Sequence, residues 1–336
     1  VSAGGIIRHS TQLQDTEILN DKRIVVVGYG KSATDVIVAV SGMAKSTHLV
    51  FREPKWKIPQ YVKGINTKYA FLNRLGEAFI KPEDQLNKVD RFINKIGLPK
   101  KMLSFMEKYI SKKQFLNELG LVPSTSIKEQ AFGEITLETP YFFDKVKKGE
   151  IITKQGEIAS FQGKQITLNN GEQIDCDLII FAIGFKQTIP FLPPHFQEKL
   201  MDKQGNYLLY HHILPPCIPA LAFVGYNSSL QTPISSEFGA LWVCEYLKGR
   251  IKKPTDAEIL KEGTEFIRWR SQFRMNGASR GLSTMPGTIH HIDILLKDMD
   301  APMPFLSLIP DWLVTSNPAR YQQLRKKIVS RNNKTE

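Results

Sequence analysis

The residues whose spacing points to chemistry are two glycines and a small residue that follow a short apolar segment. The stretch KRIVVVGYGKSATD places Gly28, Gly30 and Ala33 directly after four β-branched residues. This is the G-x-G-x-x-G/A order in which a buried strand, a tight turn and a helix start bind a dinucleotide. We expect Gly28 to let the chain turn, Gly30 to let backbone N–H groups approach a pyrophosphate, and Ala33 to allow close packing. The helix N-terminus would add a positive dipole toward the phosphates.

A cation stands at the end of the next predicted strand, Thr47–Phe51. In an NAD-selective site, an acidic residue roughly 20 positions past the glycines binds the ribose 2′-OH. Arg52 takes that place here, and Lys55 and Lys57 follow it closely. A guanidinium suits a 2′-phosphate, so the pattern predicts NADPH. Trp56, between the two lysines, would either stack on a ring of the ligand or pack against the protein.

The elements that must position these residues form a compact βαβ half. The pattern predicts a strand at Ile24–Val27 and a helix from Ser32 to about Met43, before the strand that ends at Phe51. A second buried apolar strand, DLIIFAIGF at Asp177–Phe185, carries Gly184 near its end. The carboxyl end of a parallel strand is where doubly wound folds bind ligands. The sequence therefore predicts an α/β fold with its ligand site at this edge.

A third strand-and-glycine unit is predicted at LAFVGYNSS, residues 221–229. Gln231 and Thr232 follow it, and an apolar helix is expected from about Ser236 to Leu247. Polar groups at a helix start indicate either a ligand site or simple N-capping, here by Ser235 or the serine after it. Both interpretations stay open on the sequence alone.

The chain divides by pattern into four segments. Residues 60–130 carry apolar side chains at helical spacing and are interpreted as a helical insert, whereas 150–168 alternate as three short strands with turns between them. The expected organisation is listed here: 1–21, a linker or edge segment; 22–185, a Rossmann-like domain with the insert; 186–250, a return into a second domain; and 251–336, a C-terminal helical cap.

Composition narrows the classes of protein. The 336 residues carry a formal charge of +12, but the basic residues are dispersed and no RNA-binding or zinc pattern accompanies them, so nucleic acid is not an expected partner. The three cysteines are far apart and form no CxxC pair, which favours a reducing, cytoplasmic setting. No apolar run approaches the roughly 18 residues that span a membrane. Because the first residue is Val1, we expect a piece of a longer protein.

Other chemistries have weaker support. The pairs His211-His212 and His290-His291 lack further ligands at metal-binding spacing, so structural roles are favoured. No G-x-S-x-G elbow occurs, and Val25 stands where a P-loop needs its first glycine. The sequence contains no recognisable acid, base or nucleophile constellation. The glycine-containing strand ends and the lack of such a constellation together favour a protein that positions a cofactor, with the cofactor carrying out the chemistry.

With these residues in view, the chain resembles the flavin-containing monooxygenases, class B flavoproteins with N-hydroxylating and Baeyer–Villiger relatives, from about Gly5 to Gly249. GGIIRHS is similar to the end of the family's F-x-G-x-x-x-H fingerprint, with Gly5 and His9 in place and Ala3 instead of phenylalanine. VVGYGKSATD is similar to the NADPH-site pattern G-x-G-x-S-[GA]-x-D. FREPKW resembles the Arg…Trp segment after the second strand.

Two later motifs extend the resemblance. FAIGF resembles the linker F-A-T-G-Y, with Ile183 and Phe185 as departures, and LAFVGY resembles the segment that returns to the flavin domain. The resemblance implies that Gln231 and Thr232 lie against the flavin ring. The implied cofactor-binding residues are Gly28, Gly30, Lys31, Ser32, Ala33, Asp35, Arg52, Trp56, Ala182, Gly184, Gln231 and Thr232. It assigns no catalytic or metal-binding residue.

The resemblance implies an NADPH- and FAD-dependent monooxygenase that oxygenates a soft nucleophile, such as an amine or sulfide, through a C4a-(hydro)peroxyflavin. The family's first G-x-G-x-x-G, which binds FAD, would lie before Val1, so we expect a Rossmann-like NADPH-binding domain plus the C-terminal part of an FAD-binding domain. The alternatives are a Baeyer–Villiger or other flavoprotein oxidoreductase and a non-catalytic NADP-binding fragment. The expected partners are a small-molecule substrate and, as an option, a second copy of the chain in a homodimer.

Overall fold

The structure is a computed structural model and alternates strands and helices along the chain. It describes residues 5–78, 81, 85–130, 135–185, 188–218, 220–227, 229, 231–272, 288–312 and 314–332. The strands are β1 (Ile6–His9), β2 (Arg23–Val27), β3 (Ser46–Phe51), β4 (Lys57–Ile58), β5 (Tyr61–Val62), β6 (Ile65–Asn66), β7 (Thr136–Leu137), β8 (Ile152–Gln155), β9 (Ile158–Gln162), β10 (Gln165–Leu168), β11 (Gln173–Asp175) and β12 (Leu178–Phe181).

The helices fall in both halves of the sequence. They are α1 (Lys31–Val40), α2 (Lys68–Phe71), α3 (Arg74–Glu77), α4 (Lys88–Lys95), α5 (Leu98–Lys113), α6 (Leu116–Leu119), α7 (Phe142–Lys147), α8 (Pro194–Leu200), α9 (Thr232–Leu247), α10 (Asp256–Arg270), α11 (Thr288–Asp298), α12 (Phe305–Leu308) and α13 (Gln322–Asn332). Among the helices that the structure describes, none combines the length and apolar character needed to cross a membrane.

The chain forms two compact units. Unit 1 contains Val1–Gln60, Met102–Gln130 and Glu134–Phe185, and unit 2 contains Tyr61–Lys101, Ala131–Gly133 and Lys186–Glu336. The segment predicted as a helical insert does contain α2 to α6, but its helices are shared between the two units. The assignment of cofactor roles to the segments of the chain stays a prediction.

Unit 1 is built on a five-stranded parallel sheet in the order β1-β12-β2-β3-β8. Ile24, Val25 and Val26 in β2 are completely buried. Val25 packs with residues of the antiparallel sheet β11-β10-β9 on one face, and α1 packs against β2 and β3. A parallel strand covered on both faces needs apolar residues at every position, which explains the continuous β-branched run.

The strand order reverses between β2 and β12. From β2 the chain passes through α1 to β3 on one side, whereas β12, much later in sequence, pairs with β2 on the other side. Val27 and Phe181 are register partners at the carboxyl ends of these two strands. Ligands of open α/β sheets bind in the crevice at such a reversal. The topology therefore indicates a ligand site beside Gly28 and Ala182, the residues that directly follow the two strands.

Most predicted strands of unit 1 are confirmed to within a few residues, and Ile6–His9 is an edge strand parallel to β12. The three short strands predicted at 150–168 fall into two different sheets. The segment after Glu150 joins the main sheet as β8, parallel to β3, and does not form a hairpin with β9. β8 forms hydrogen bonds with the outer edge of β3 in the main sheet, whereas β9 pairs with β10 in the three-stranded sheet.

The strand predicted at residues 221–225 is wrong. The described residues of this segment form no strand, although the N–H of Phe223 donates to the carbonyl of Ile213 at 2.8 Å. Gly225 adopts a φ of +77°, which a regular strand does not allow. The aromatic rings of Phe223 and Tyr226 pack with Tyr207 in a cluster of unit 2. Packing of these side chains holds the segment in place.

Unit 2 is organised around α9 and α11. Phe238 and Trp242 of α9 and Leu295 and Leu296 of α11 are fully buried in one apolar cluster. The apolar helix predicted from about Ser236 is confirmed as α9, but it starts four residues earlier, at Thr232. Pro233 in the first turn is compatible with a helix start, because the N–H that proline lacks would have no partner within the helix.

The four histidines of the two pairs lie in unit 2. His211 lies between carboxylates, with Nδ1 2.9 Å from Glu262 and Nε2 3.0 Å from Asp298. These carboxylates outweigh burial and raise the pKa of His211 to about 9. His291 Nε2 donates to the carbonyl of His211 at 2.9 Å, and burial lowers its pKa to about 4. The imidazoles thus connect elements of unit 2.

Candidate functional site

Gly28 is required both by conformation and by space. Its φ of +130° is one that side chains rarely adopt, and a Cβ placed there would lie 2.5 Å from the carbonyl oxygen of Ala182. The same Cβ would lie 3.3 Å from Cβ of Ala33, a fully buried residue of α1. The glycine and the alanine therefore let α1, β2 and β12 approach one another closely.

Gly30 leaves the start of α1 open. It is the N-cap residue, with φ −69° and ψ 178°, and as a glycine it has no side chain that could accept a hydrogen bond from the first turn. A Cβ added at Gly30 would meet nothing within 4 Å. The first-turn N–H groups have no partner within the helix, and the helix dipole makes this end positive. The geometry is that of an anion-binding site approached through the space beside Gly30.

Two charged residues of α1 predicted to bind a cofactor are joined to a third residue. The ammonium of Lys31 pairs with the carboxylate of Asp35 one turn later and lies 3.3 Å from Oγ1 of Thr139. The hydroxyl of Thr139 donates to Asp35 at 2.6 Å. Lys31 therefore lies back along the helix, with 41% of its side chain exposed, while Ser32 is exposed in the first turn.

Arg52 directly follows β3, at the same edge of the sheet as Gly28. Its Nε lies 3.8 Å from a carboxylate oxygen of Glu157, and the two side chains are 63% and 60% exposed. An exposed pair of this kind contributes only about 0–1 kcal/mol. The guanidinium can therefore exchange this carboxylate for a phosphate at small cost, which keeps the predicted role geometrically accessible.

Trp56 and Lys57 are both buried. The indole N–H of Trp56 donates to the carbonyl of Thr125 at 2.7 Å, and the ring forms part of the wall of a cavity of about 630 Å³ in unit 1. Lys57, the second of the two lysines that follow Arg52, is completely buried. Pairing of β4 with β7 draws this segment into unit 1. Lys57 therefore cannot reach a ligand at the surface, although it follows Arg52 closely in the sequence.

The end of β12 faces the glycine turn. The N–H of Ala182 donates to the carbonyl of Val27 at 2.9 Å, which extends the β2–β12 ladder to the turn. Gly184 follows with a φ of +82°, so the chain bends away from the sheet there. Ile183 and Phe185 are exposed on either side of it. The turn after β2 and the bend after β12 lie side by side at the strand reversal, the place where open α/β sheets bind ligands.

A second helix start without a side-chain cap lies in unit 2, where Gln231 is the N-cap of α9 and its side chain makes no capping bond. Within the described part of the chain, Oε1 of Gln231 and Oγ of Ser229 are buried without a hydrogen-bond partner. The proposed capping by the serines of α9 is wrong. Ser235 contacts His291, and Ser236 donates to the carbonyl of Thr232.

The unit 1 residues singled out in the sequence thus lie in α1 or directly after the carboxyl ends of β2, β3 and β12. Trp56 lies instead in the wall of a cavity, and Lys57 is buried against Tyr29. Gln231 and Thr232 belong to unit 2, where they form the start of α9. Sequence reasoning missed Thr139 and Ser229, because no motif marks them and their contacts are visible only in the fold.

Comparison with known proteins gives a family match along most of the chain. The family model described as "FMO-like: Flavin-binding monooxygenase-like" matches residues 3–308 of the 336. Two relatives are "Probable flavin-containing monooxygenase 1" of Arabidopsis thaliana, 27% identical over 297 residues, and "Flavin-containing monooxygenase 1" of Rattus norvegicus, 27% identical over 304 residues. These alignments cover 84% and 87% of this chain but only 55% and 52% of the relatives.

Solved structures agree on the fold. The cyclohexanone monooxygenase of Rhodococcus sp. Phi1 bound to NADP⁺ matches with a TM-score of 0.60 at 15% identity, covering 88% of this chain and 68% of that one. A steroid monooxygenase bound to NADP matches with a TM-score of 0.55 at 17% identity, with the same two coverages of 88% and 68%.

The chain spans about half the length of the flavin-containing monooxygenases it matches. Its α/β fold with a five-stranded parallel sheet is shared with solved monooxygenases. Because the family model matches far more than half of the sequence, the chain belongs to the flavin-binding monooxygenase-like family.

Proposed function

We propose that unit 1 binds NADPH at the strand reversal. The observation that carries this proposal is the uncapped start of α1 behind Gly30, where a side chain would meet open space. Backbone N–H groups and the helix dipole would bind the pyrophosphate there. Arg52 would bind the 2′-phosphate, since a guanidinium matches the geometry of a phosphate better than that of a hydroxyl. Gly28, Ala33, Ala182 and Gly184 would shape the crevice.

We further propose that Gln231 and Thr232 contact FAD. The buried, unpaired oxygens of Gln231 and Ser229 at the start of α9 support this role, because buried polar atoms normally have a partner. An isoalloxazine ring or ribityl hydroxyl could supply the missing donors. The chemistry would come from the two cofactors together: hydride donation by NADPH and oxygen activation by FAD. The protein's own residues would bind, orient and shield these groups.

The resulting activity is NADPH- and FAD-dependent oxygenation of a soft nucleophile such as an amine or a sulfide. Family membership supports the reaction class, and the substrate is an inference from the resemblance. The test has two stages, NADPH binding by calorimetry and then NADPH oxidation by the full-length protein with FAD and an amine, a sulfide or a ketone. Preference for the ketone would favour the Baeyer–Villiger alternative. Binding without turnover would favour the non-catalytic fragment, and absence of binding would overturn the proposal.

Arg52→Ala should weaken NADPH binding roughly 10- to 100-fold and leave NADH binding nearly unchanged, because one charge-assisted contact with the 2′-phosphate is lost. The dissociation constants for both nucleotides measure this difference. Lys45→Ala is the matched control: this exposed cation stands directly before β3, at the opposite end of the strand, and its removal should change neither constant. Equal weakening of NADPH and NADH by Arg52→Ala would refute the 2′-phosphate role.

A further inference from the structure

We propose that Lys57 is a positioning residue for nucleotide binding: its ammonium holds the carbonyl of Tyr29 so that the glycine turn presents its N–H groups to the pyrophosphate. This inference rests on the NADPH site proposed above and assigns to that site a residue that lies behind it. Lys57 differs from the other cations of the region because it cannot touch the ligand from its buried position.

The side-chain contacts described for Lys57 include the residue in the middle of the glycine turn, Tyr29. The side chain is completely buried, and its Nζ donates to the carbonyl of Tyr29 at 2.8 Å and to Oγ1 of Thr136 at 3.2 Å. The ammonium also lies 4.7 Å from the centroid of the Tyr29 ring, within cation–π range. Burying an ammonium costs free energy that an apolar side chain would not, so its retention calls for a gain elsewhere.

The gain that we infer is the orientation of one peptide plane. The carbonyl of Tyr29 and the N–H of Gly30 belong to the same peptide group, which is trans like every other peptide bond described. In a planar trans peptide the C=O and N–H vectors point in opposite directions. Since Lys57 binds the carbonyl on the inner side, the N–H of Gly30 points outward, toward the open space beside its Cα.

The charge of Lys57 adds a second, electrostatic effect. Burial, and next the positive charge of Lys31, lower the pKa of Lys57 to about 7, while Asp35 and Glu138 act in the opposite direction and Lys55 lowers it further. The ammonium therefore gains or loses its proton near neutral pH. An anion at the turn stabilises the protonated form, so binding raises the pKa of Lys57 and takes up a proton. The contribution of Lys57 to nucleotide affinity should then fall as the pH rises from 6 to 9.

Lys57→Met tests both effects, because methionine matches the unbranched lysine side chain out to Cε and removes the donor and the charge. The affinity ratio of wild type to variant is measured with NADPH by calorimetry from pH 6 to 9, and ionisation of the ligand cancels in this ratio. We expect the variant to bind roughly tenfold more weakly at pH 6, and the difference to shrink as the pH rises. A ratio of one at every pH, with a native circular dichroism spectrum, would overturn the inference.

A second measurement needs only the wild type. NADH lacks the 2′-phosphate that titrates near neutral pH, so its binding in buffers of different ionisation enthalpy reports proton uptake by the protein. We expect partial proton uptake between pH 7 and 8. The absence of uptake would overturn the inference even if Lys57→Met does not fold. Failure of the wild type to bind either nucleotide at any pH would instead overturn the proposed NADPH site.

Discussion

The variant Gly30→Val is expected to fold like the wild type and to lose NADPH affinity by at least about a hundredfold. Valine can adopt the φ of −69° and ψ of 178° found here, and its Cβ would meet nothing within 4 Å. Its methyl groups would instead fill the space through which a pyrophosphate reaches the first turn of α1. The thermal unfolding temperature and the dissociation constant for NADPH, measured on the same preparation, separate folding from binding.

Gly28→Ala provides the matched contrast two residues earlier. There the added Cβ would lie 2.5 Å from the carbonyl oxygen of Ala182, at a φ of +130°. Backbone strain and overlap together should lower the free energy of unfolding by about 3 kcal/mol or more. One glycine thus controls folding and the other controls binding. Retention of wild-type NADPH affinity by Gly30→Val would mean that the turn is not the nucleotide site.

The strand–turn–helix unit could be predicted because each of its parts is specified locally. Four successive β-branched residues ending at Val27 fit only a strand covered on both faces, and α1 does lie against this sheet. Gly28, which has a positive φ, provides the turn between strand and helix, because α1 must return close to β2. Hydrophobic periodicity and turn chemistry act over a few residues, so a single sequence contains them.

The position of Lys57 could not be predicted because it depends on a distant pairing. Arg52, Lys55 and Lys57 form one cluster of cations in the sequence, and nothing local separates them. In the fold, β4 pairs with β7. Lys57 donates a hydrogen bond to Thr136 in this pair, although the two residues are 79 positions apart in the sequence. That pairing turns the lysine toward Tyr29. The strand predicted at 221–225 failed for a related reason, since an apolar run becomes a strand only where a neighbouring strand offers its edge.

Glu77→Ala is the substitution expected to destabilise unit 2 most. The carboxylate of Glu77 accepts hydrogen bonds from the N–H groups of Ile289 and His290, both at 2.9 Å, and so caps α11 from a distant part of the chain. All three residues are buried, so water cannot replace the lost acceptor. Two buried donors without partners should cost about 2–5 kcal/mol in the free energy of unfolding, measured by urea denaturation.

Burial raises the pKa of Glu77 to about 7, although its two backbone hydrogen bonds act against this shift. Between pH 4.5 and 7 the unfolded state therefore binds fewer protons at this residue than the folded state, and stability falls as the pH rises. Glu77→Gln keeps one acceptor and cannot ionise. It should be less destabilising than Glu77→Ala and should remove this part of the pH dependence, which denaturation at pH 5 and pH 7.5 would measure.

Thr255→Ala is the control, because it removes an exposed cap. The hydroxyl of Thr255 accepts a hydrogen bond from the N–H of Glu258 at the start of α10, at 3.2 Å. Solvent can replace that bond, so the loss should be about 1 kcal/mol. Comparing the two variants separates the stabilisation given by any helix cap from the additional stabilisation given by a cap that is buried. An equal loss for Thr255→Ala and Glu77→Ala would show that burial of the α11 cap contributes nothing, and would contradict the prediction.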